Sequence, residues 1–482
     1  MHSSIRHTAI FLITLFLLLS LALPYWQIVR GPELLARADN PRLVEEERRI
    51  VRGRILSRDG AELARSQADD KGYVKRIYPY PALAPVVGYA SARYGTGGIE
   101  AAANTALRGQ EGATLADTLR RQLLHEPTSG HDVVLTIDSR LQKVADEALG
   151  QATGAVVVLD PRNGEVLAMA SHPYFDPHRL EADWERLRAD SNRPLLNRAT
   201  QGLYAPGSTF KTVTLAAALE RGLDPTTVFT YTLRPPDAQH HGWWHVNEFQ
   251  ILCENHPSNN SPFDLTGAYA WSCNIAFAAI GLRLGHNDYV EYARRFGLGS
   301  PLPLEIPVQP SLLFHTPDYF TGGERFYALA STAFGQGELA VTPLQMALIA
   351  ATVANDGVAM TPHLVSQVRT ADGVVLRTTT PRPWRTAVGR QAALTTKAIM
   401  VNSVDSGWAR VAAIKGVSVG GKTGTAETGD PRQLPHSWFI GFAPADNPRF
   451  AIAVIKEFAG YGSEEAAPVG KKVLEAALKL GQ

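Results

Sequence analysis

Apolar and polar positions change texture several times along the chain. From Thr8 to Leu23 the run TAIFLITLFLLLSLAL carries no charge. With Pro24, Tyr25 and Trp26 following, the stretch to Val29 is long enough to cross a bilayer of about 30 Å as a helix. Ser20-Leu21-Ala22 also resembles the small-x-small site of a cleaved signal peptide, so anchor and signal both stand. Either one exports the rest of the chain. Between Pro41 and Arg65, short apolar patches flank Asp59-Gly60 and predict a strand, a turn and a strand. The proline- and glycine-rich stretch from Tyr78 to Gly98 predicts loops, and Ile99-Glu100-Ala101 opens a short helix ending near Gly109. Together these pieces predict a small irregular region without a deep core.

A new texture begins at Asp132. A β-branched run passes into Leu141, Val144, Ala145 and Leu149 at helical spacing, which predicts a strand and then an amphipathic helix. Gly154 to Ser171 reads as two apolar strands joined at Pro161-Arg162-Asn163-Gly164. Phe450 to Ile455 predicts another buried strand, and Gly470 to Leu480 a terminal amphipathic helix. Helices between strands from both ends of the chain predict an α+β or α/β sandwich from about residue 131 to 482.

Length changes the picture first: 482 residues exceed one ordinary domain, and two or three units are expected. The division expected is a cytoplasmic stub and membrane segment at 1–30, a small irregular region at 31–130 and a large domain at 131–482. Hydrophobic residues at 45% and charged residues at 19% exclude a disordered chain. Lys plus Arg number 47 against 46 for Asp plus Glu, so no basic surplus is present for nucleic acid. Cys253 and Cys273 make no CxxC pair, which excludes a cysteine zinc ribbon. Their spacing leaves open whether they form a disulfide.

Three short motifs occur in order: Ser208-Thr209-Phe210-Lys211, Ser272-Cys273-Asn274 and Lys422-Thr423-Gly424-Thr425. Each alone is weak, but the ordered triple is a recognised signature of serine β-lactamases and penicillin-binding proteins. Pro206-Gly207 predicts a turn from which a helix opens at Ser208, and residues i and i+3 on a helix share a face. Lys211 therefore lies beside the Ser208 hydroxyl and can serve as its base if burial and nearby cations lower its pKa. The helix N-terminus adds a positive dipole and backbone N–H groups for an oxyanion. Polar Ser272 and Asn274 interrupt an apolar helical segment and need partners. There Ser272 would pass a proton between Lys211 and the leaving amine, Asn274 would hold the acyl substrate, and Cys273 would point into the core. Around Lys422 the alternation of Val417 and Val419 predicts a strand whose glycines, Gly424 among them, let a substrate run alongside. Lys422 with the Thr423 and Thr425 hydroxyls would bind a substrate carboxylate.

Two other readings compete for these residues. Gly416 to Thr423 matches the phosphate-loop pattern GxxxxGK[ST], but a helix must follow it and Gly424, Gly429 and Pro431 break one. His240, His241, His245, Cys253 and His256 invite a metal reading, but Trp243, Trp244 and the nearby prolines predict a surface loop. No metal and no cofactor is expected.

At these motifs the chain resembles the class B, monofunctional penicillin-binding proteins. The likeness extends to Arg52-Gly53-Arg54-Ile55 with Arg58-Asp59-Gly60, to Gly98-Ile99-Glu100, to AFGQGELAVTPLQMA at 333–347 and to Ser437-Trp438-Phe439-Gly441. The resemblance implies an α+β fold: a transmembrane helix, a small irregular β-rich pedestal, and a serine-acylating domain with an antiparallel sheet flanked by helices. It implies a D,D-transpeptidase in which Ser208, Lys211 and Ser272 are catalytic and Asn274, Lys422, Thr423, Gly424 and Thr425 bind substrate. The oxyanion hole maps onto the backbone N–H groups of Ser208 and Thr425. The implied partners are peptidoglycan stem peptides, β-lactams and a membrane-embedded glycan polymerase, since no glycosyltransferase module precedes the domain. The implied location is the bacterial cell membrane, single-pass, with the catalytic domain outside.

Other functions on the same fold remain open at this level. A serine β-lactamase or β-lactam sensor positions a hydrolytic water that a transpeptidase excludes. Here 150 positions separate Ser272 from Lys422 and no ExxLN-like element follows Ser272, which favours the transpeptidase. A D,D-carboxypeptidase would use the same residues with water as acceptor, and a non-enzymatic assembly role would need none of them.

Overall fold

The uncharged N-terminal run forms α1 (His2–Pro24), continued by a π-helical turn over Tyr25–Val29. The computed structural model describes residues 2–30, 48–112, 129–229, 240–254 and 263–481. The window Ile5–Gln27 has a mean hydropathy of 2.2 and none of it is buried against the rest of the protein.

Beyond this N-terminal helix the elements used below follow in chain order. They are β1 (Ile55–Leu56), β2 (Glu62–Ala68), β3 (Val74–Ile77), β4 (Asp132–Leu135), α2 (Ser139–Leu149), β5 (Gly154–Leu159) and β6 (Val166–His172). Next come α3 (Lys211–Glu220), β7 (His240–Val246), β8 (Phe249–Glu254), α4 (Asn274–Arg295, broken at Gly285) and α5 (Pro343–Ala354). The chain closes with β9 (Val365–Arg369), β10 (Val375–Thr378), α6 (Arg390–Ser406), β11 (Gly420–Ala426), β12 (His436–Ala443), β13 (Phe450–Lys456) and α7 (Ala466–Leu480).

A six-stranded sheet in the order β10-β9-β4-β1-β2-β3 carries the pedestal. Its turn falls at Asp59-Gly60, as the polar interruption predicts. Contrary to the expectation of no deep core, Ile55, Leu63, Val86, Ile99 and Leu107 are at most 1% exposed and join the main hydrophobic cluster. The apolar positions are too scattered in sequence to reveal this, because β9 and β10 are lent to the sheet from more than 200 residues away. Buried charge ties the layers: Glu100 accepts from Arg52 Nε at 2.8 Å and from Arg76 Nε at 2.6 Å.

The second sheet has the order β11-β12-β13-β5-β6, antiparallel throughout. Alternate side chains enter opposite faces. Val156 and Val158 meet Leu141 of α2 and Val473 of α7, while Val157 and Ile440 meet the other layer, where α5 is buried at every residue. A helix apolar all round belongs in a core. Trp438 is fully buried on β12 and donates its indole N–H to the Ala205 carbonyl at 2.9 Å, binding the sheet to the loop before Ser208. Burial of a side chain of this size contributes about 3 kcal/mol or more.

Candidate active site

Ser208 does not open an α-helix. It sits in a 3₁₀ turn, Gly207–Phe210, and α3 begins at Lys211. In a 3₁₀ turn residues i and i+3 nearly eclipse, which tightens the pairing expected from helical spacing. Lys211 Nζ lies 3.0 Å from Ser208 Oγ. The Thr209 hydroxyl closes the turn on the Pro206 carbonyl at 2.7 Å. β11 lies directly against this turn. A Cβ on Gly207, whose φ is +53°, would fall 2.5 Å from the Thr425 carbonyl oxygen, and one on Gly424 would fall 2.9 Å from Thr209 Cγ2. Only glycine at both positions lets strand and turn approach this closely.

The second motif breaks its helix. A helix over Leu265–Ala270 stops, Ser272 takes a left-handed φ of 62°, and α4 starts at Asn274. The strained serine backbone turns both of its oxygens toward Lys211, whose Nζ meets the Ser272 carbonyl at 2.7 Å, Ser272 Oγ at 3.1 Å and Asn274 Oδ1 at 2.7 Å. Asn274 Nδ2 donates to the Leu252 carbonyl at 3.0 Å, which fixes the orientation of the amide. Lys422, fully buried on β11, reaches Ser272 Oγ at 3.0 Å and the Thr423 carbonyl at 3.0 Å. The three motifs thus converge on one hydroxyl.

Donor counting shows what the cluster can do. The Ser272 carbonyl and Asn274 Oδ1 only accept, so they take two N–H bonds from Lys211. A neutral amine has two N–H bonds and keeps a lone pair, and the Ser208 and Ser272 hydroxyls also lie at hydrogen-bond distance. That arrangement can receive the Ser208 proton.

Cys273 is buried, as expected, and it forms a disulfide with Cys253, the two Cα atoms 5.3 Å apart. The partner lies on a hairpin that sequence reading missed. β7 and β8 pair across Asn247-Glu248, Val246 opposite Phe249 and Asn247 at φ 55°, where a surface loop is predicted. Alternation of Val246, Phe249, Ile251 and Cys253 is the signal, but Asn-Glu is a weaker turn marker than Asn-Gly. The metal reading loses Cys253 to the disulfide, and among the described residues no group of three His, Cys, Asp or Glu side chains could hold an ion. His256 lies outside the described residues. The phosphate-loop reading fails because Lys422-Thr423 lie inside β11, paired to Ile440 and Phe439, with no helix after them.

A cleft of about 1070 Å³ opens beside the cluster, lined among others by Tyr204, Leu252, Asn274, Glu427, His436 and Phe458. His436 Nδ1 accepts the Phe458 N–H at 3.1 Å, which leaves the proton on Nε2. Burial pushes this imidazole below its ordinary pKa, and Glu457 offsets part of the shift. Glu457 Oε1 accepts from the Tyr204 hydroxyl and from Arg198 Nε, both at 2.7 Å, and burial with that carboxylate holds the phenol far above its usual range.

Comparison with known proteins now bears on this geometry. Residues 154–475 match the family profile of the penicillin-binding protein transpeptidase domain, and residues 52–133 match that of the penicillin-binding protein A dimerisation domain. The peptidoglycan D,D-transpeptidase PbpA of Mycolicibacterium smegmatis is 37% identical over 100% of both chains. The chain is a class B penicillin-binding protein. Solved structures of penicillin-binding protein A from Mycobacterium tuberculosis are similar in fold. Its ceftriaxone acyl-enzyme complex superposes with a TM-score of 0.80 at 35% identity, covering 90% of this chain and 100% of the other. Its penicillin G acyl-enzyme complex gives 0.78 at 36% identity, covering 89% and 99%. In this penicillin-binding protein the segment at 333–347 packs behind the site, where Thr342 caps α5 on the Gln345 N–H at 3.1 Å and Gln345 Nε2 reaches the Phe296 carbonyl at 2.8 Å.

Proposed function

We propose that the chain is a membrane-anchored peptidoglycan D,D-transpeptidase acting through an acyl-enzyme on Ser208. The observation that carries the assignment is Lys211 Nζ, held at 3.0 Å from Ser208 Oγ while both of its N–H donors face carbonyl oxygens. Lys211 takes the Ser208 proton as Oγ attacks the carbonyl carbon of the penultimate D-Ala of a stem pentapeptide. The N–H groups of Ser208 and Thr425 receive the developing oxyanion, brought near each other by the close approach at Gly207 and Gly424. The C–N bond then breaks, and the departing D-Ala amine takes a proton through Ser272 Oγ, which lies 3.1 Å from Lys211 Nζ and 3.0 Å from Lys422 Nζ. An amine of a neighbouring stem replaces D-Ala, attacks the acyl carbon and regenerates Ser208. Asn274 holds the acyl chain, while Lys422 with Thr423, Gly424 and Thr425 presents an edge strand and a positive site for the terminal carboxylate or that of a β-lactam. The relatives' β-lactam acyl-enzymes support this reading over a hydrolase on the same fold.

The anchor reading of α1 places one span in the membrane and the catalytic domain outside the cell. The proposed partner is a membrane-embedded glycan polymerase, because cross-linking consumes freshly made strands. The division at residues 30 and 130 is proposed from the sequence, with β4, β9 and β10 lent across the second boundary to the sheet of β1, β2 and β3.

Labelling of the detergent-solubilised chain with a fluorescent penicillin tests the assignment. A stable adduct is expected, with none in Ser208→Ala that melts like the parent. Rapid loss of label with ring-opened drug would replace the transpeptidase by a lactamase.

A further inference from the structure

His436 is held as a hydrogen-bond donor without an acceptor. It opens β12 and pairs with Ala426, the last residue of β11. Side chains two apart on a strand share a face, so His436 follows Trp438 outward, and the Tyr204 ring meets both edge-on at 5.5 and 6.2 Å. The Phe458 ring lies 4.6 Å from the imidazole. With the Phe458 N–H occupying Nδ1 at 3.1 Å and burial favouring the neutral ring, the proton sits on Nε2. That N–H has no acceptor among the described residues, and it is not closed off from solvent. Phe458 takes a φ of 50°, a left-handed conformation unfavourable for a residue with a side chain, and strain of this kind collects at ligand sites.

The unused N–H opens on the cleft beside Ser208, which His436, Phe458 and Tyr204 line together with Leu252 and Asn274. β11 is the edge strand of its sheet. A peptide laid antiparallel along that edge, with its reacting carbonyl at the Thr425 N–H, runs its N-terminal part past Ala426. Thr425 pairs with Ser437 and Ala426 with His436, so the residue upstream of the reacting carbonyl comes level with His436 where β11 ends. Asp318, Glu324 and Glu427 line the cleft, and among the described lining residues there is no lysine or arginine. A carboxylate is repelled there, whereas a peptide carbonyl suits a neutral N–H donor. The Tyr204 hydroxyl does not compete for that carbonyl, because it donates to Glu457 at 2.7 Å.

We propose that His436 is a substrate-positioning residue whose Nε2–H donates to a peptide carbonyl of the acyl donor upstream of the penultimate D-Ala, and so selects donors that carry an acyl chain there. The inference rests on the acyl-enzyme reading of Ser208 and names a contact which that reading does not use.

Substitution tests the two ring nitrogens apart. His436→Asn puts an amide oxygen near the Nδ1 position and keeps the bond from Phe458, but its side chain is too short to reach the cleft. His436→Gln extends an amide N–H toward the Nε2 position and gives up the Phe458 bond. The full chain in detergent is acylated with piperacillin, whose side chain carries several carbonyls, and with 6-aminopenicillanic acid, which has no acyl side chain. The ratio of the two second-order rate constants should fall about three- to tenfold in His436→Asn, the loss of one neutral hydrogen bond, and recover in His436→Gln. A residue that only held Phe458 in place would give the reverse order. A ratio unchanged in His436→Asn, or lowered as far in His436→Gln, overturns the proposal. Absence of label on Ser208 in the parent would overturn the acyl-enzyme reading itself, and this contact with it.

Discussion

The pedestal and the catalytic domain both bury cationic side chains, but they use different cations. In the pedestal, Arg52 and Arg76 close on Glu100 at 2.8 and 2.6 Å. In the catalytic domain, Lys211 and Lys422 are fully buried and meet Ser272 Oγ at 3.1 and 3.0 Å. A guanidinium keeps its proton and binds a carboxylate in a fixed fork, whereas a buried amine can release and recover one. The arginine cluster therefore fastens strands together, while the lysine cluster, in the mechanism proposed for Ser208, would pass a proton through a hydroxyl. Hydrogen-bond partners follow the same division: a carboxylate where charge is to stay, carbonyl and hydroxyl oxygens where it is to move.

Exchanging the cation is the sharpest way to break this comparison. Lys211→Arg puts a group that never releases its proton beside Ser208 and so removes the base; β-lactam acylation of the folded protein should fall about 10²–10⁴-fold, which stopped-flow labelling measures. An unchanged rate would mean that Lys211 only positions Ser208. The converse change in the pedestal is Glu100→Gln, which leaves two guanidiniums facing a neutral amide. It should cost about 3–5 kcal/mol in denaturant unfolding while leaving the acylation rate of the surviving folded protein intact. Between the two in character lies Cys253→Ser, since the disulfide joins residues 20 apart and ties the β7–β8 hairpin to the middle of the Ser272 motif. Loss of this loop closure should cost about 3 kcal/mol by thermal melting. It should also slow acylation, because Asn274 is held by Leu252 on the same hairpin.

The smallest effect expected concerns pH. Burial lowers the pKa of His436 in the folded state, so the unfolded chain binds the extra proton first. The stability this group contributes is present above its unfolded value of about 6.5 and is lost as pH falls through the lower folded value. Tm measured as a function of pH should drop on acidification through this window, and His436→Gln should flatten that part of the curve.

Much of this architecture is written in local pattern. α2, β5, β6, β13 and α7 follow from alternation or helical spacing because each buries one face or both against a single neighbour layer. The hairpin β7–β8 was not legible, since its aromatic and histidine content masks the alternation and its turn lacks glycine. The helix break at Ser272 was not legible either, because the apolar spacing runs on through the polar Ser272 and Asn274 as one helical segment, and the bonds made by a left-handed serine stabilise the interruption. The 3₁₀ turn at Ser208 lies between these cases: the i to i+3 pairing was readable, the eclipsed geometry was not.

The sequence by itself determined the family's three motifs, their order, and where the long apolar N-terminal helix lies. Those are properties of residue type and short-range spacing, and short-range sterics enforce them. Tertiary structure decided that Ser272 and Lys422, 150 positions apart, meet at 3.0 Å, that Cys253 and Cys273 join, and that β9 and β10 complete the pedestal sheet. Such contacts depend on how whole layers pack and which long loops close. No local pattern encodes that choice, because its free energy is shared among hundreds of small burial terms.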